Sequence, residues 1–129
     1  MEKTAHNLVR EQWREYQPDR NFKALQIDKM RQMEKSWIKA WSLARYAAKI
    51  LKETFGAQKV VVFGSLLEKG SFSPWSDIDL AVWGIPASRF YAAVGAITGL
   101  SPMIKIDVVD PETCKHSVLE MILREGKEV

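Results

Sequence analysis

The sequence predicts a layered domain of the α/β or α+β class, on two observations. Apolar residues recur at steps of three and four across residues 22–55, which indicates a long amphipathic helix. After it, three short apolar and β-branched runs alternate with helical segments, as strands do in layered folds. A chain of 129 residues has room for one hydrophobic core of ordinary size, so we expect a single domain.

The long helix carries its apolar stripe along its second half and part of its first. Gly56 is expected to end it, and Pro18 separates it from a shorter candidate helix at residues 8–16. The second half is expected to pack on its own domain. For the first half, packing on the domain and docking to a partner helix both remain open. The stripe consists of Met30, Met33, Trp37, Trp41, Ala44, Ala48, Leu51 and Phe55.

Three strands and two helices are predicted after this helix. The β-branched run Lys59–Phe63 predicts a buried strand, and Ile78–Trp83 predicts a second one. A third strand is predicted at residues 104–109. Helices are predicted at residues 88–98 and 113–125, each followed by a glycine.

Composition restricts the function classes. The net charge of +3 and the isoelectric point near 9.0 suit a protein that handles a polyanion such as a nucleoside triphosphate, but do not indicate nucleic-acid binding, because basic and acidic residues are interleaved. The single cysteine, Cys114, excludes a disulfide within the chain and favours a reducing cytoplasm. No signal peptide or membrane-spanning run is predicted, so no membrane partner is expected.

The second predicted strand places two carboxylates on one face. Residues two apart in a strand point to the same side, so Asp77 and Asp79 project together while the apolar residues between and after them face the core. Two adjacent carboxylates repel unless a cation lies between them, and Mg²⁺ prefers such oxygen ligands. The alternative is a turn residue followed by a solvent-facing strand residue.

The third predicted strand adds another carboxylate. Ile104, Ile106 and Val108 share its buried face, so Asp107 lies on the other face. If the second and third strands are neighbours, Asp107 completes a cluster of three carboxylates. The alternative is a structural ion pair with Lys105.

The first strand ends in a candidate phosphate site. Gly64 lets the backbone approach a ligand closely, and Ser65 adds a hydroxyl group. A helical turn at this point would direct free N–H groups at an anion. A phosphate site next to a pair of metal-binding carboxylates serves phosphoryl or nucleotidyl transfer.

These residues resemble a known pattern. The Val62–Ser65 segment Val-Phe-Gly-Ser, a loop, and the Ser76–Leu80 segment Ser-Asp-Ile-Asp-Leu resemble the minimal nucleotidyltransferase (MNT) family of the DNA polymerase β-like superfamily. The resemblance covers roughly residues 59–110. It implies an α+β fold, a small mixed β-sheet with helices packed on it. Residues 57–129 would form this nucleotidyltransferase core, and residues 1–56 a helical extension packed on it or extending from it.

The resemblance also implies roles for the site residues. Gly64 and Ser65 would hold the triphosphate of ATP, and Asp77 and Asp79 would bind two Mg²⁺ ions. Asp107 would share one metal ion and act as a base on the attacking hydroxyl. Small MNT proteins are commonly the antitoxin of a HEPN/MNT toxin–antitoxin pair, in which they transfer AMP from ATP to a tyrosine of the HEPN RNase toxin. The implied partner is therefore a helical HEPN dimer encoded nearby, and a homo-oligomer remains open.

Two departures from the family pattern concern the phosphate loop. Many family members have small and basic residues directly after Gly-Ser, whereas this chain has Leu66, Leu67 and Glu68 before Lys69. Eleven residues separate Ser65 from Asp77, one more than is common. Lys69 is the candidate replacement for the missing basic residue.

Other functions and roles remain open at this point. The chain could mask its toxin by contact alone, or, less plausibly for its length, transfer a nucleotide to a small molecule as aminoglycoside nucleotidyltransferases do. Phe72 and Trp75, in the loop before Asp77, could cover the core, stack on adenine or contact a protein substrate.

Overall fold

The computed structural model describes residues 18–129, so the candidate helix at residues 8–16 lies outside the described residues. The chain divides into two units, Met1–Gln32 and Met33–Val129. In order, the elements are helix α1 (Pro18–Glu53), strand β1 (Lys59–Phe63), a 3-10 turn (Gly64–Leu67), strand β2 (Ile78–Trp83), helix α2 (Ala87–Thr98), strand β3 (Ile106–Val109), helix α3 (His116–Glu125) and strand β4 (Lys127–Glu128).

Helix α1 differs along its length. Residues 21–32 are all exposed, whereas the second half buries an alanine-rich face that includes Ala44 and Leu51. The expected packing of the second half on its own domain is therefore confirmed. The helix includes Pro18, which a first helical turn tolerates, and it ends at Glu53 before Gly56 turns the chain with a φ of 78°. No helix within residues 18–129 combines the length and apolar character needed to cross a membrane.

The four strands form one mixed sheet in the order β3-β2-β1-β4. β1 pairs antiparallel with β2 and with β4, and β2 pairs parallel with β3. One face of the sheet packs in the larger core with the second half of α1, and the other face packs on α3 through a smaller cluster around Ile122. The expected α+β fold with a small mixed sheet is confirmed.

Local hydrogen bonds explain where the elements differ from the predicted ones. β3 begins at Ile106 because Ser101 Oγ accepts bonds from the Met103 and Ile104 N–H groups and forms a turn there. α3 begins at His116, since residues 110–114 form a turn that precedes it. The two-residue strand β4 was not predicted, because Lys127 and Glu128 carry no strand pattern.

Candidate functional site

The sheet brings the predicted carboxylates together. β2 and β3 are neighbours, and Asp79 lies directly opposite Asp107 in their parallel register. Asp77 immediately precedes β2, two residues before Asp79. In the antiparallel pairing of β1 with β2, Phe63 is the partner of Asp79, so the end of β1 reaches the same place. The condition set by the sequence, that the second and third strands be adjacent, is met.

Gly64 lies against the Asp79 carboxylate. A Cβ atom at position 64 would stand 2.5 Å from Asp79 Oδ2, which is closer than Cβ atoms approach non-bonded atoms in proteins. Gly64 also has a φ of 79°, in the left-handed region that favours glycine. The backbone conformation therefore favours glycine where β1 passes into the 3-10 turn, and a larger residue there would also displace the Asp79 carboxylate.

The surroundings of Asp79 disfavour its charged form. Burial of its carboxyl, followed by the charges of Asp107 and Asp77, raises the pKa of Asp79 from its ordinary 3.8 to about 6, against a lowering effect of Lys105. A carboxylate that is disfavoured by other carboxylates gains from a cation placed among them. The electrostatics of this edge of the sheet thus favour binding of a positively charged ion.

Lys105 also forms the ion pair that the sequence offered as the alternative role of Asp107. Lys105 Nζ lies 3.4 Å from Asp107 Oδ1, and both side chains are well exposed to solvent. An exposed pair of this kind contributes little to stability, about 1 kcal/mol or less. The ion pair therefore leaves the Asp107 carboxylate open to other partners.

The donor set fits a Mg²⁺ ion shared with a phosphate and does not form a closed metal cage. Within residues 18–129, no group of three or more histidine, cysteine, aspartate or glutamate side chains is arranged to hold a metal ion. Mg²⁺ is usually held by one or two carboxylates together with substrate phosphates and water. Asp77, Asp79 and Asp107 are the carboxylates that such an ion would use. Burial of Asp79, followed by the charges of Asp107 and Asp77, raises the pKa of Asp79, and a cation among them would offset both effects.

The 3-10 turn after β1 is attached to the core and to helix α1 through Leu66. Leu66 is fully buried in the larger core, and its carbonyl oxygen accepts a 2.9 Å hydrogen bond from Trp37 Nε1 of α1. The apolar residue that departs from the family pattern therefore anchors the turn to the core. Ser65, one residue earlier, is partly exposed.

An open cleft of about 590 Å³ begins at Gly64 and Ser65, a volume within the range of small-molecule sites. Met121 and Glu125 of α3 contribute to it and were not singled out from the sequence. Their spacing of four residues, which places two side chains on one helix face, was the available signal. The lining residues are Gly64, Ser65, Leu67, Glu68, Ser71, Met121 and Glu125.

Lys69 is held at α1. Its Nζ atom lies 2.8 Å from Glu34 Oε1, and both side chains are about half-exposed. Lys69 is not among the residues that line the cleft next to Gly64 and Ser65. Of the six residues predicted for the site, only Gly64 and Ser65 line this cleft, and Asp77, Asp79 and Asp107 do not line it either.

The two aromatic residues of the loop before Asp77 take opposite positions. Phe72 is buried in the larger core, with 2% of its surface exposed. Trp75 is 91% exposed. Covering the core is thus the role of Phe72 alone.

Comparisons with known proteins give a family match and two structures with similarity to this chain. A family model described as "Polymerase beta, Nucleotidyltransferase" matches residues 46–129. A chain of the solved structure "Crystal structure of the toxin-antitoxin with AMP-PNP" has a TM-score of 0.50 and 21% identity, covering 63% of this chain and 67% of that chain. A chain of "Crystal structure the toxin-antitoxin MntA-HepT" has a TM-score of 0.49 and 17% identity, covering 68% and 69%.

At 21% identity, the likeness to the structure with a TM-score of 0.50 concerns the fold alone. No curated protein sequence matches this chain. The family model spans well over half of the chain and includes the Gly-Ser turn and all three carboxylates. The protein therefore belongs to the polymerase β nucleotidyltransferase family.

Proposed function

We propose that this nucleotidyltransferase is a Mg²⁺-dependent adenylyltransferase that acts as a cytoplasmic antitoxin. It transfers AMP from ATP to a tyrosine hydroxyl of a HEPN RNase toxin. The observation that carries the proposal is the convergence of Gly64, Asp79 and Asp107. Asp79 Oδ2 lies against the Gly64 backbone, and Asp107 lies opposite Asp79 across the parallel strands.

The proposed reaction assigns a role to each predicted residue. Gly64 and Ser65 would bind the triphosphate at the mouth of the cleft, and Asp77, Asp79 and Asp107 would hold two Mg²⁺ ions. Mg²⁺ held by these residues would supply neutralisation of the charge that develops on the phosphates. The acceptor oxygen forms a bond to the α-phosphorus, the bond to pyrophosphate breaks, and pyrophosphate leaves. Asp107 accepts the proton of the hydroxyl group.

The antitoxin role and the choice of ATP have separate support. The structurally similar chain with a TM-score of 0.50 comes from a toxin–antitoxin structure that contains AMP-PNP, an ATP analogue. The local sequence from Val62 to Leu80 resembles the MNT antitoxins. These two likenesses support a toxin as the acceptor and ATP as the donor, and they favour a protein acceptor over a small molecule.

A second function, masking of the toxin by contact alone, is favoured by one specific observation. The cleft at Ser65 is lined by two acidic residues, Glu68 and Glu125, and by no basic residue, while Lys69 is paired with Glu34. A triphosphate would depend on metal ions alone for charge neutralisation there. The chain would then transfer AMP weakly or not at all, and would inhibit the toxin by forming a tight complex with it.

The two functions are separated by an incubation with labelled ATP, Mg²⁺ and the purified HEPN protein encoded nearby. A mass gain of one AMP unit on the HEPN protein, lost in the Asp77→Asn, Asp79→Asn double variant, is expected. The matched control is Asp28→Asn, which removes an exposed carboxylate of α1 and is expected to transfer AMP as the wild type does.

The opposite result assigns the function to the interface. If the wild-type chain transfers no AMP, yet it and the double variant bind the toxin equally and inhibit its RNase activity, the transfer proposal is wrong and masking is the function. If the double variant still transfers AMP, Asp77 and Asp79 are not required for the reaction.

A further inference from the structure

The loop before Asp77 exposes a large apolar side chain two residues along the chain from this proposed metal ligand. Trp75 is 91% exposed, although tryptophan is among the residues that gain most from burial. Phe72, three residues earlier, is almost fully buried and attaches the same loop to the core. The loop therefore has one aromatic ring inside the domain and one in solvent.

The exposed position of Trp75 is imposed by a braced turn. The Ser73 N–H donates to Ser76 Oγ at 3.0 Å, and the two hydroxyl oxygens lie 3.1 Å apart. The Ser76 N–H donates to the Ser73 carbonyl oxygen at 3.0 Å, and the Trp75 N–H donates to Ser73 Oγ at 3.3 Å. Pro74 fixes a further backbone angle. Much of the ordering cost of a contact through Trp75 is thus already met before binding.

The position of Trp75 favours the acceptor over the nucleotide. Trp75 precedes Asp77 by two residues, so it stands close along the chain to a proposed metal ligand. The residues that line the cleft at Gly64 and Ser65 do not include Trp75. Asp77, Asp79 and Asp107 do not line it either, so the preference for the acceptor rests on the 91% exposure of the Trp75 side chain, which leaves its ring free to enter a recess of another protein.

We infer that Trp75 is an anchor for the protein acceptor, and that it inserts its indole into an apolar recess of the surface that carries the modified hydroxyl. The inference rests on the proposed function for the identity of this acceptor. Tryptophan is enriched among the few interface residues that dominate binding, above all where the side chain is rigidly presented. An anchor so close to Asp77 would also orient the hydroxyl toward the carboxylates.

The test compares Trp75→Ala, Trp75→Phe and the control Tyr91→Ala with the wild-type chain. Tyr91 is 86% exposed on α2, so its replacement removes a similarly exposed aromatic ring from another element. We expect Trp75→Ala to raise the KM for the HEPN protein at least tenfold and to leave the KM for ATP unchanged. Trp75→Phe should recover part of the loss, and Tyr91→Ala should behave as the wild type.

Direct titration of the HEPN protein in a calorimeter gives a second readout that does not need transfer. A weakened Kd for Trp75→Ala supports the anchor even if the wild-type chain transfers no AMP, in which case the proposed enzyme activity fails alone. An unchanged acceptor KM and Kd, with normal wild-type transfer, overturns the anchor alone. A raised KM for ATP instead of for the acceptor also overturns it, and would mean that Trp75 contacts the adenine ring of ATP.

Discussion

The backbone of Gly64 is in contact with the carboxylate of Asp79, so that a Cβ atom on residue 64 would stand 2.5 Å from Asp79 Oδ2. These residues come from different strands, β1 and β2, and meet because Phe63 pairs with Asp79. The glycine of the Gly-Ser pair thus has a steric role towards the acidic residues as well as a role towards phosphate.

Gly64→Ala is expected to damage both the fold and the site. The added methyl group would displace the Asp79 carboxylate, and the φ of 79° is unfavourable for alanine, at a cost of about 1–3 kcal/mol. Urea denaturation should show this loss, and AMP transfer should fall at least tenfold. Gly70→Ala is the matched control, because a Cβ there meets nothing within 4 Å, and it should retain both stability and activity. An active Gly64→Ala variant would contradict the contact.

Asp79→Asn is expected to stabilise the metal-free protein at neutral pH. Because the folded pKa of Asp79 is about 6 and its ordinary value is 3.8, the native state binds this proton more tightly than the unfolded chain. The free energy of unfolding therefore falls as the pH rises from about 3.8 to about 6, and this contribution stays lost above that. Thermal unfolding in EDTA should give the variant a higher Tm than the wild type at pH 7.5, with a difference that shrinks towards pH 4.5.

Asp28→Asn is the control for that measurement, since it removes an exposed carboxylate of α1 and should give the same Tm as the wild type. Added Mg²⁺ should raise the Tm of the wild type and leave Asp79→Asn nearly unaffected. A lower Tm for Asp79→Asn at pH 7.5 in EDTA would mean that the Asp79 charge stabilises the fold, against the inferred repulsion.

Lys105→Met separates the two roles of Asp107. Loss of the exposed Lys105–Asp107 ion pair should change the free energy of unfolding by about 1 kcal/mol or less. Removing a positive charge beside the carboxylates should lower the Mg²⁺ concentration needed for half-maximal stabilisation. Asp107→Asn should raise that concentration. If both variants bind Mg²⁺ as the wild type does, Asp107 is a structural ion-pair residue only.

Glu34→Gln and Lys69→Met test whether Lys69 serves the nucleotide. The Lys69–Glu34 pair is half-exposed, so it holds Lys69 by only about 1 kcal/mol or less, and water or a phosphate can compete for it. If Lys69 binds the triphosphate, Glu34→Gln should lower the KM for ATP and Lys69→Met should raise it, each by a few fold. Equal KM values for both variants and the wild type would exclude Lys69 from the nucleotide site.

Leu66→Ala is expected to loosen the Gly-Ser turn from the core. Its side chain is fully buried, so truncation should cost about 2–5 kcal/mol of unfolding free energy. The KM for ATP should also rise, since the turn that carries Ser65 loses its anchor. Leu123→Ala, at a leucine that is 69% exposed, should change stability by about 0.5 kcal/mol or less. Equal losses in the two leucine variants would refute the anchoring role.

The elements with strong local patterns were predictable, and those without were not. Lys59–Phe63 and Ile78–Trp83 were predicted with their observed bounds. The first is a β-branched run between glycines, and the second is an apolar run that Gly84 closes. β4 pairs with β1 through two polar residues and depends on α3 bringing the chain back to the sheet. A pairing between distant segments leaves no periodic signal in a two-residue strand.

For the site, the sequence by itself determined which carboxylates share a face of each strand, because side chains alternate along a strand whatever surrounds it. It also placed a glycine and a serine at the end of β1. Only the tertiary structure decided that β2 and β3 are adjacent and in a register that sets Asp79 opposite Asp107. It also decided that Lys69 pairs with Glu34, and that Phe72 is buried while Trp75 is exposed. These outcomes depend on contacts between segments that are distant in the sequence, and such contacts are defined only when the whole core has packed.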